Sequence, residues 1–415
     1  MKKRVISILI LIAIFQNAIC MVYADDEEEQ IEDLGEALET VATVDEKEPT
    51  LNSKTAIVMD RKSKRIIYGK NENKRVAMAS TTKIMTAIIV IENANLEDEV
   101  TISAKAGSIG GSRLGLKKDD KITVKNLLYG LMMRSGNDAA VALAEYVGGS
   151  VQGFAEKMNA KAKELKLQNT HFVTPHGLDD PDHYTTAYEL AIITDYAMEN
   201  EIFAKIVSTQ NYTVSINGYT KSLNNTNELL GVLQGVKGVK TGFTNNAGRC
   251  LVTCTNRDGF EIITVVLGAD TKKFRTTDSI KLIEYTYKNY KPVNITEIIN
   301  NKFKEWKRVN ENRIVIEKAR SSSHLNLAFN KLKQDTIPMK LEDTDNINIE
   351  VYCTTFMTAP VPKNTVVGKM KIKLKDEVIE IVNIINEDEI ERKNKKDYFL
   401  DFLDVILVYN RYVTH

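Results

Sequence analysis

The longest apolar stretches of the chain have the length and period of helices. Residues 84–91 form an almost unbroken apolar run, which predicts a buried helix that begins near Ser80, because the polar residues 71–74 before it are typical of a turn. Further stretches predict helices over 127–133, 139–144, 154–167, 186–198 and 279–290. A short polar kink joins the first two of these.

Shorter runs with strand-like composition lie on both sides of the helical stretch. Residues 55–59 and 65–68 flank a charged turn and predict a β-hairpin, and Asn217-Gly218 joins a second hairpin over 212–223. Three more strands are predicted over 239–244, 250–255 and 260–267. Strands at both ends with helices between them predict an α+β domain over 51–290, in which the first hairpin joins the later sheet.

The pattern changes after Pro292. Strands predicted over 313–317, 346–351 and 366–374 indicate a small β-rich domain over 295–386, and the middle strand alternates polar and apolar residues strictly. Residues 387–415 are predicted to form a charged linker and an amphipathic C-terminal helix. Its acidic residues are Asp397, Asp401 and Asp404, and its apolar stripe comprises Phe399, Phe402, Leu403, Ile406 and Val413.

The C-terminal helix is not predicted to cross a membrane, because Asp401 and Asp404 interrupt its apolar run. Two alternatives remain open from the residues alone. The helix docks on protein, or it lies on a membrane surface with Phe399 and Phe402 inserted. The acidic stripe weakens the second alternative, since anionic lipid would repel it.

The N-terminus has the three parts of a secretory signal peptide. Residues 1–4 are basic, residues 5–15 are apolar but too short for a comfortable membrane span, and Val22 and Ala24 are small residues at the positions that a signal peptidase recognises. Residues 1–24 are therefore predicted to be removed on export. Cys20 suggests a lipoprotein instead, but the bulky Ile19 before it argues against that. Residues 25–50 form a predicted acidic linker.

Composition excludes several classes of function. The chain has 415 residues, 43% of them hydrophobic, which is enough for two or three domains. Its 56 basic and 56 acidic residues balance, so no basic excess indicates nucleic-acid binding. Cys250 and Cys254 lie four apart on one predicted strand, about 13 Å from each other, which is too far for a disulfide. The five histidines form no metal-ligand pattern, so no metal is expected.

A serine and a lysine three residues apart stand at the start of the first predicted helix. On a helix this spacing places Lys83 one turn from Ser80 and on the same face. A buried, neutral lysine can take the proton from a serine hydroxyl and make it a nucleophile. Ser-x-x-Lys alone is a short pattern, and a helix-capping serine beside an exposed lysine is the ordinary alternative.

Two further motifs follow Ser80 in order. Ser135-Gly136-Asn137 lies on the kink between two helices, and Lys240-Thr241-Gly242 lies on a predicted strand. Each motif is weak alone, and Ser215-Ile216-Asn217 also fits Ser-x-Asn although it belongs to a hairpin. The ordered set on a helix, an interhelical turn and a strand is specific, because penicillin-binding proteins and class A β-lactamases share it.

The residues around these motifs strengthen the match. Residues 79–87, 128–132, 135–140, 175–178 and 238–244 strongly resemble the D-alanyl-D-alanine carboxypeptidases, low-molecular-weight penicillin-binding proteins of the S11 serine peptidase type. The resemblance covers 51–290 and extends weakly to 359–361 and 367–369. Met78 and Gly136 depart from the family pattern, which often has proline and, in the wider superfamily, aspartate there.

The resemblance implies a β-lactamase/transpeptidase-like fold and acyl transfer without metal or cofactor. Ser80 would attack the peptide bond between two D-alanines, Lys83 would be the general base, and Ser135 would relay a proton to the leaving amine. Lys240, Thr241 and Gly242 would bind the substrate carboxylate and its backbone. Asn137 would bind substrate amides and hold Lys83, and Phe243 would supply an oxyanion N–H together with Ser80.

The resemblance also implies partners and location. The expected substrate is the peptidoglycan stem peptide ending in D-Ala-D-Ala, and β-lactams are the expected inhibitors. The protein is expected at the outer face of the cytoplasmic membrane or in the cell wall, with peripheral membrane contact through the C-terminal helix.

Three alternatives remain. A class A β-lactamase needs a deacylating glutamate, and residues 164–168 lack the required Asn. A non-catalytic wall-binding protein would have no need of the polar residues of all three motifs together. Transpeptidase or endopeptidase activity differs only in the acceptor or the peptide cleaved.

Overall fold

The computed structural model describes residue 38, residues 47–320 and residues 325–413, with side chains to residue 407. The predicted signal peptide and most of the acidic linker lie outside the described residues. The chain divides into two compact units, Met1–Lys288 and Asn289–His415.

The first unit is built around a five-stranded antiparallel sheet with the strand order β2-β1-β9-β8-β7. In chain order the strands of this unit are β1 (Thr55–Asp60), β2 (Ile66–Lys70), β3 (Glu99–Thr101), β4 (Lys121–Thr123), β5 (Asn211–Ile216), β6 (Tyr219–Asn224), β7 (Val236–Thr244), β8 (Gly248–Arg257) and β9 (Phe260–Ala269). The first hairpin joins the later strands through β1 and β9, as the sequence predicts. This confirms the α+β class.

Helices surround the strands of this unit. They are α1 (Lys83–Asn93), α2 (Ala104–Ser108), α3 (Val124–Met133), α4 (Asn137–Gly148), α5 (Val151–Glu164), α6 (Ala187–Met198), α7 (Glu201–Val207) and α8 (Lys272–Asn289). Every residue of α1 from 83 to 90 is buried, which explains why its sequence is apolar on all sides. Ser80 lies in a 3-10 turn, Ala79–Thr82, immediately before α1 rather than in the helix itself.

The hairpin predicted around Asn217-Gly218 forms as β5 and β6. Both turn residues have positive φ, +51° for Asn217 and +81° for Gly218. Asn and Gly tolerate this conformation best, and two such residues make the turn that suits the twist of a hairpin. Cys250 and Cys254 are buried free thiols on β8, consistent with the predicted absence of a bridge between them.

The second unit contains a helix that the strand pattern did not reveal. Helix α9 spans Ile295–Asn310, and Ile295, Ile299 and Phe303 on one face are buried. The strands are β10 (Lys291–Asn294), β11 (Val315–Glu317), β12 (Leu327–Phe329), β13 (Thr336–Met339), β14 (Ile347–Cys353), β15 (Phe356–Thr358), β16 (Thr365–Leu374) and β17 (Glu377–Asn386). Four of them form a sheet with the order β12-β17-β16-β14.

The charged segment after β17 is ordered by backbone pairing. Ile390 is fully buried and forms a bridge with Val361, and Arg392 pairs with Ala319. Helix α10 (Lys395–Val413) then ends the described chain. None of the helices in the described part of the chain is long and apolar enough to cross a membrane.

Candidate active site

The turn that carries Ser80 is held in an uncommon backbone conformation. Ala79 has φ +48°, in the left-handed region that residues with a Cβ seldom adopt. The Thr82 hydroxyl donates to the Ala79 carbonyl at 2.8 Å, and strand β7 packs against the turn. The serine is therefore presented on a rigid turn between a buried helix and the edge strand of the sheet.

The Lys83 side chain is fully buried and its nitrogen contacts three oxygen atoms. Nζ lies 2.8 Å from Ser80 Oγ, 2.8 Å from Asn137 Oδ1 and 2.8 Å from the His176 carbonyl oxygen. An ammonium donates to all three, whereas a neutral amine donates to two and accepts the serine proton. The arrangement therefore suits transfer of a proton between Ser80 and Lys83.

The side-chain amide of Asn137 is oriented by contacts at both ends. Its Nδ2 donates to the Gly110 carbonyl at 2.7 Å, which leaves Oδ1 to accept from Lys83. Ser135 is nearly buried with φ +55° and precedes α4 by two residues. Within the described residues its hydroxyl makes no hydrogen bond to Ser80 or Lys83. Asn137 therefore contacts Lys83 directly, whereas Ser135 is linked to the pair only through the backbone that leads to Asn137.

Asp138 supports this turn with a buried carboxylate. Its oxygens accept from the backbone N–H groups of Leu114, Gly115 and Leu116 at 2.8, 2.7 and 2.9 Å. A Cβ at Gly136 would lie 2.9 Å from Asp138 Oδ1. Glycine at position 136, where the wider superfamily has aspartate, therefore avoids crowding this carboxylate, which holds the loop between α2 and β4.

The Lys240-Thr241-Gly242 motif lies on β7, beside the serine turn. Lys240 is buried, and its Nζ donates to the Thr241 carbonyl at 2.9 Å. A Cβ at Gly242 would stand 3.0 Å from the Ser80 backbone nitrogen, so glycine permits the strand to approach the turn closely. The ring of Phe243, next on the strand, lies 3.8 Å from the Arg249 guanidinium carbon.

Two buried histidines flank the Ser80–Lys83 pair. Burial and the nearby Lys83 lower the pKa of His176 to about 3, and burial lowers the pKa of His183 to about 4. His183 Nδ1 accepts from the Val173 N–H at 3.0 Å, so Nε2 carries the proton and donates to Thr82 Oγ1 at 2.8 Å. Both rings are neutral near pH 7 and act as fixed polar supports.

Several of these contacts were missed by the sequence analysis. The residues 175–178 contributed to the family resemblance, but no pattern indicated that the His176 carbonyl would accept from Lys83. The contacts of Gly110 and Asp138 also depend on chain segments far apart in sequence. In the residues that the structure describes, no group of three or more histidine, cysteine, aspartate or glutamate side chains is placed to hold a metal ion.

Comparison with known proteins identifies the family. The sequence model of the D-alanyl-D-alanine carboxypeptidases, peptidase S11, matches residues 42–271, and that of the C-terminal domain of penicillin-binding protein 5 matches residues 329–392. D-alanyl-D-alanine carboxypeptidase DacF of Bacillus subtilis is 32% identical over 357 residues, which cover 85% of this chain and 88% of DacF.

Solved structures agree with this assignment. The crystal structure of the D-alanyl-D-alanine carboxypeptidase DacD from Francisella tularensis superimposes with a TM-score of 0.69 at 27% identity, covering 84% of this chain and 96% of the other. Penicillin binding protein 5 from Haemophilus influenzae superimposes with a TM-score of 0.66 at 27% identity, covering 83% and 99%. The chain belongs to the D-alanyl-D-alanine carboxypeptidase family of serine peptidases.

Proposed function

We propose that the protein removes the terminal D-alanine from peptidoglycan stem peptides through an acyl-enzyme on Ser80. Family membership makes it a serine-type D-Ala-D-Ala carboxypeptidase that binds penicillin. The observation that carries the assignment of residues is the Lys83 nitrogen, buried and 2.8 Å from Ser80 Oγ. No other described contact places a base on that hydroxyl.

The first half of the reaction forms an ester. Lys83 takes the proton of Ser80 as Oγ attacks the carbonyl carbon between the two D-alanines. The negative charge that develops on the carbonyl oxygen is stabilised by the backbone N–H groups of Ser80 and Phe243. When the C–N bond breaks, the proton passes from Lys83 to the departing amino group, with Ser135 as the proposed relay once its hydroxyl turns towards Lys83, and free D-alanine leaves.

The second half regenerates the serine. Water attacks the ester carbonyl, Lys83 takes a proton from this water, and the proton returns to Ser80 Oγ as the ester bond breaks. Both steps require the uncharged form of Lys83, and burial of a lysine side chain favours that form. A β-lactam resembles the D-Ala-D-Ala end and acylates Ser80 in the same way.

Substrate is held along strand β7. Lys240 draws the terminal carboxylate by charge, and the Thr241 hydroxyl donates a hydrogen bond to it. Thr241 is itself oriented, since its Oγ1 lies 2.9 Å from that of Thr226. Gly242 lets the substrate backbone lie against the strand, and Asn137 binds a substrate amide.

Intact-mass measurement after addition of benzylpenicillin tests the assignment. We expect a penicilloyl adduct on the unaltered protein that persists for minutes or longer, and none on Ser80→Ala. Release of D-alanine from a short peptide should follow the same pattern. Rapid penicillin loss without an adduct would indicate a β-lactamase. Neither adduct nor penicillin loss would leave only a wall-binding protein and would falsify the acyl-transfer mechanism.

We also propose that the protein acts outside the cytoplasmic membrane and that α10 contacts the membrane surface. The apolar side chains of this helix are exposed as far as residue 407, with Phe399 at 59% and Phe402 at 61%. Asp397 accepts from Arg320 at 3.0 Å and Asp401 from Lys393 at 2.6 Å, so the acidic stripe is partly neutralised within its own unit. This pairing reduces repulsion by anionic lipid.

Cosedimentation with vesicles tests this second proposal. The full chain should pellet with vesicles that contain anionic phospholipid, and Phe399→Ser/Phe402→Ser should weaken binding several-fold, because the apolar area that enters the interface is lost. Tyr219→Ser, which removes an exposed aromatic residue from the first unit, is the control. Equal binding by all three proteins would contradict the proposal.

A further inference from the structure

A pocket of about 480 Å³ lies at the end of the sheet where β7 leaves the catalytic cleft. Its lining includes Ala77, three residues before Ser80, and Asn246 and Ala247 in the turn that follows β7. The volume is within the usual range of ligand sites. None of the catalytic or substrate-binding residues proposed above belongs to its lining.

A hydrogen bond links the pocket wall to the catalytic strand. Thr244, the last residue of β7, donates from Oγ1 to Asp179 at 2.6 Å, and the next residue, Asp180, lines the pocket. Asn246 follows Gly242 by four residues and lies in the turn after β7, so the two are at most about 13 Å apart. The pocket therefore adjoins the cleft, beyond the point where Gly242 approaches Ser80.

The direction of the substrate decides which part of it reaches this pocket. With the terminal carboxylate at Lys240 and Thr241, the residues before the scissile bond extend the other way, past Phe243 towards Thr244. The stem-peptide residue before D-Ala-D-Ala is a diamino acid. One extended residue spans about 3.5 Å. The long side chain of the diamino acid covers the remaining distance to the pocket.

The pocket contains two cations without a carboxylate partner. Among the described residues the Lys54 ammonium makes no hydrogen bond or ion pair, and its side-chain carbons lie against Gly268. Arg75 donates from Nε to Asn169 Oδ1 at 3.0 Å and lies 4.8 Å from the Tyr184 ring centroid. Neither cation is neutralised by an acidic side chain in the part of the chain that the structure describes.

The pocket also contains one carboxylate without a cation. Asp180 accepts from the backbone N–H of Asp182 at 2.8 Å, and no lysine or arginine of the described chain pairs with it. The concave surface thus presents two positive groups and one negative group, each of which can form further hydrogen bonds. That set matches a side chain which ends in both an ammonium and a carboxylate.

We propose that this pocket binds the diamino-acid side chain of the stem peptide and selects a diaminopimelate type over a lysine type. The carboxylate of the diaminopimelate side chain binds Lys54 and Arg75, and its ammonium binds Asp180. A lysine side chain has the ammonium alone and leaves both cations unpaired. The inference rests on the proposed function, because it takes the substrate direction from the assigned carboxylate site.

Two stem pentapeptides that differ only in the third residue test the proposal. We expect D-alanine release from the diaminopimelate peptide with kcat/KM about five- to tenfold above that of the lysine peptide, as expected for partly exposed ion pairs. Lys54→Gln/Arg75→Gln should remove this preference. Asp180→Asn should lower kcat/KM for both peptides. Lys118→Gln, an exposed cation outside the pocket, is the matched control and should retain the preference.

The outcomes separate the pocket from the catalytic assignment. Equal kcat/KM for both peptides in the unaltered protein would overturn the proposed selectivity of the pocket, and so would a preference that survives in the double variant. In either case, release of D-alanine would still support the proposed carboxypeptidase function. Failure to release D-alanine from either peptide, with no acylation of Ser80 by penicillin, overturns both. If the double variant does not fold, the single variants Lys54→Gln and Arg75→Gln should each reduce the preference in part.

Discussion

Two apolar helices of this chain lie in opposite environments. In α1 every residue from 83 to 90 is buried, including a lysine. In α10 the apolar side chains up to residue 407, where their description ends, remain exposed, with Phe402 at 61% and Val405 at 68%. Both sequences form helices, but only α1 is covered by other elements. An apolar run therefore predicts the helix, whereas its burial depends on what packs against it.

The charges on the two helices differ in the same way. The nitrogen of Lys83 on α1 contacts three neutral oxygen atoms, one of which is Ser80 Oγ. Asp397 and Asp401 on α10 pair with Arg320 and Lys393 near the surface. In the proposed mechanism burial lets the lysine act as a base, whereas solvent leaves the ion pairs of α10 with a modest structural role.

The largest expected effect is that of removing the proposed base. Lys83→Met should reduce the rate constant of acylation by benzylpenicillin about 10²–10⁴-fold, because no other base among the described residues contacts the Ser80 hydroxyl. Stopped-flow acylation measures this, with far-UV circular dichroism to verify the fold. Lys395→Met, on the exposed helix, is the matched control. Acylation of the Lys83 variant at the unaltered rate would contradict the assignment of the base.

Equivalent truncations on the two helices should differ strongly in stability. Ile88→Ala on α1 removes a side chain that is 1% exposed and should lower the free energy of unfolding by about 2–5 kcal/mol. Phe402→Ala on α10 should change it by less than about 0.5 kcal/mol. Urea unfolding measures both effects, followed by loss of penicillin binding for the first unit and by the fluorescence of Trp306 for the second. Similar changes in the free energy of unfolding for both variants would contradict the difference in burial between α1 and α10.

Acid should destabilise the catalytic unit through its buried histidines. The folded-state pKa values of His176 and His183 are about 3 and about 4, below the ordinary value of 6.5. The unfolded chain therefore binds more protons, and stability is lost as the pH falls from 6.5 towards these values. By pH 5 each ring should cost about 2 kcal/mol. Urea unfolding at pH 7 and pH 5 measures this, and His183→Asn should flatten the dependence.

The smallest expected effect is at the surface pair of α10. Arg320→Ala removes the partner of Asp397 and should lower the stability of the second unit only slightly, because exposed ion pairs contribute little. High salt should diminish the difference from the unaltered protein, because exposed charges are screened. Urea unfolding followed by the fluorescence of Trp306, in the second unit, measures it. A loss comparable to that of Ile88→Ala would show that the pair is effectively buried.

Much of the first unit was predictable because its signals are local. The Asn217-Gly218 turn specified its hairpin, and the apolar run after Ser80 specified α1. Helix α9 was missed because its sequence is polar apart from a narrow apolar face. Its burial becomes visible only once the strands of the second unit are assembled against it.

The sequence by itself determined the candidate residues and their order, because the i, i+3 spacing brings Lys83 back towards Ser80 across the turn that begins α1. Only the tertiary structure decided their surroundings: the His176 carbonyl at Lys83, the Gly110 carbonyl at Asn137, and the charges around the pocket beyond β7. These partners are separated by tens of residues along the chain, and no local pattern specifies which backbone groups will meet. Periodicity predicts which face of an element is apolar, whereas packing decides which distant oxygen a buried nitrogen finds.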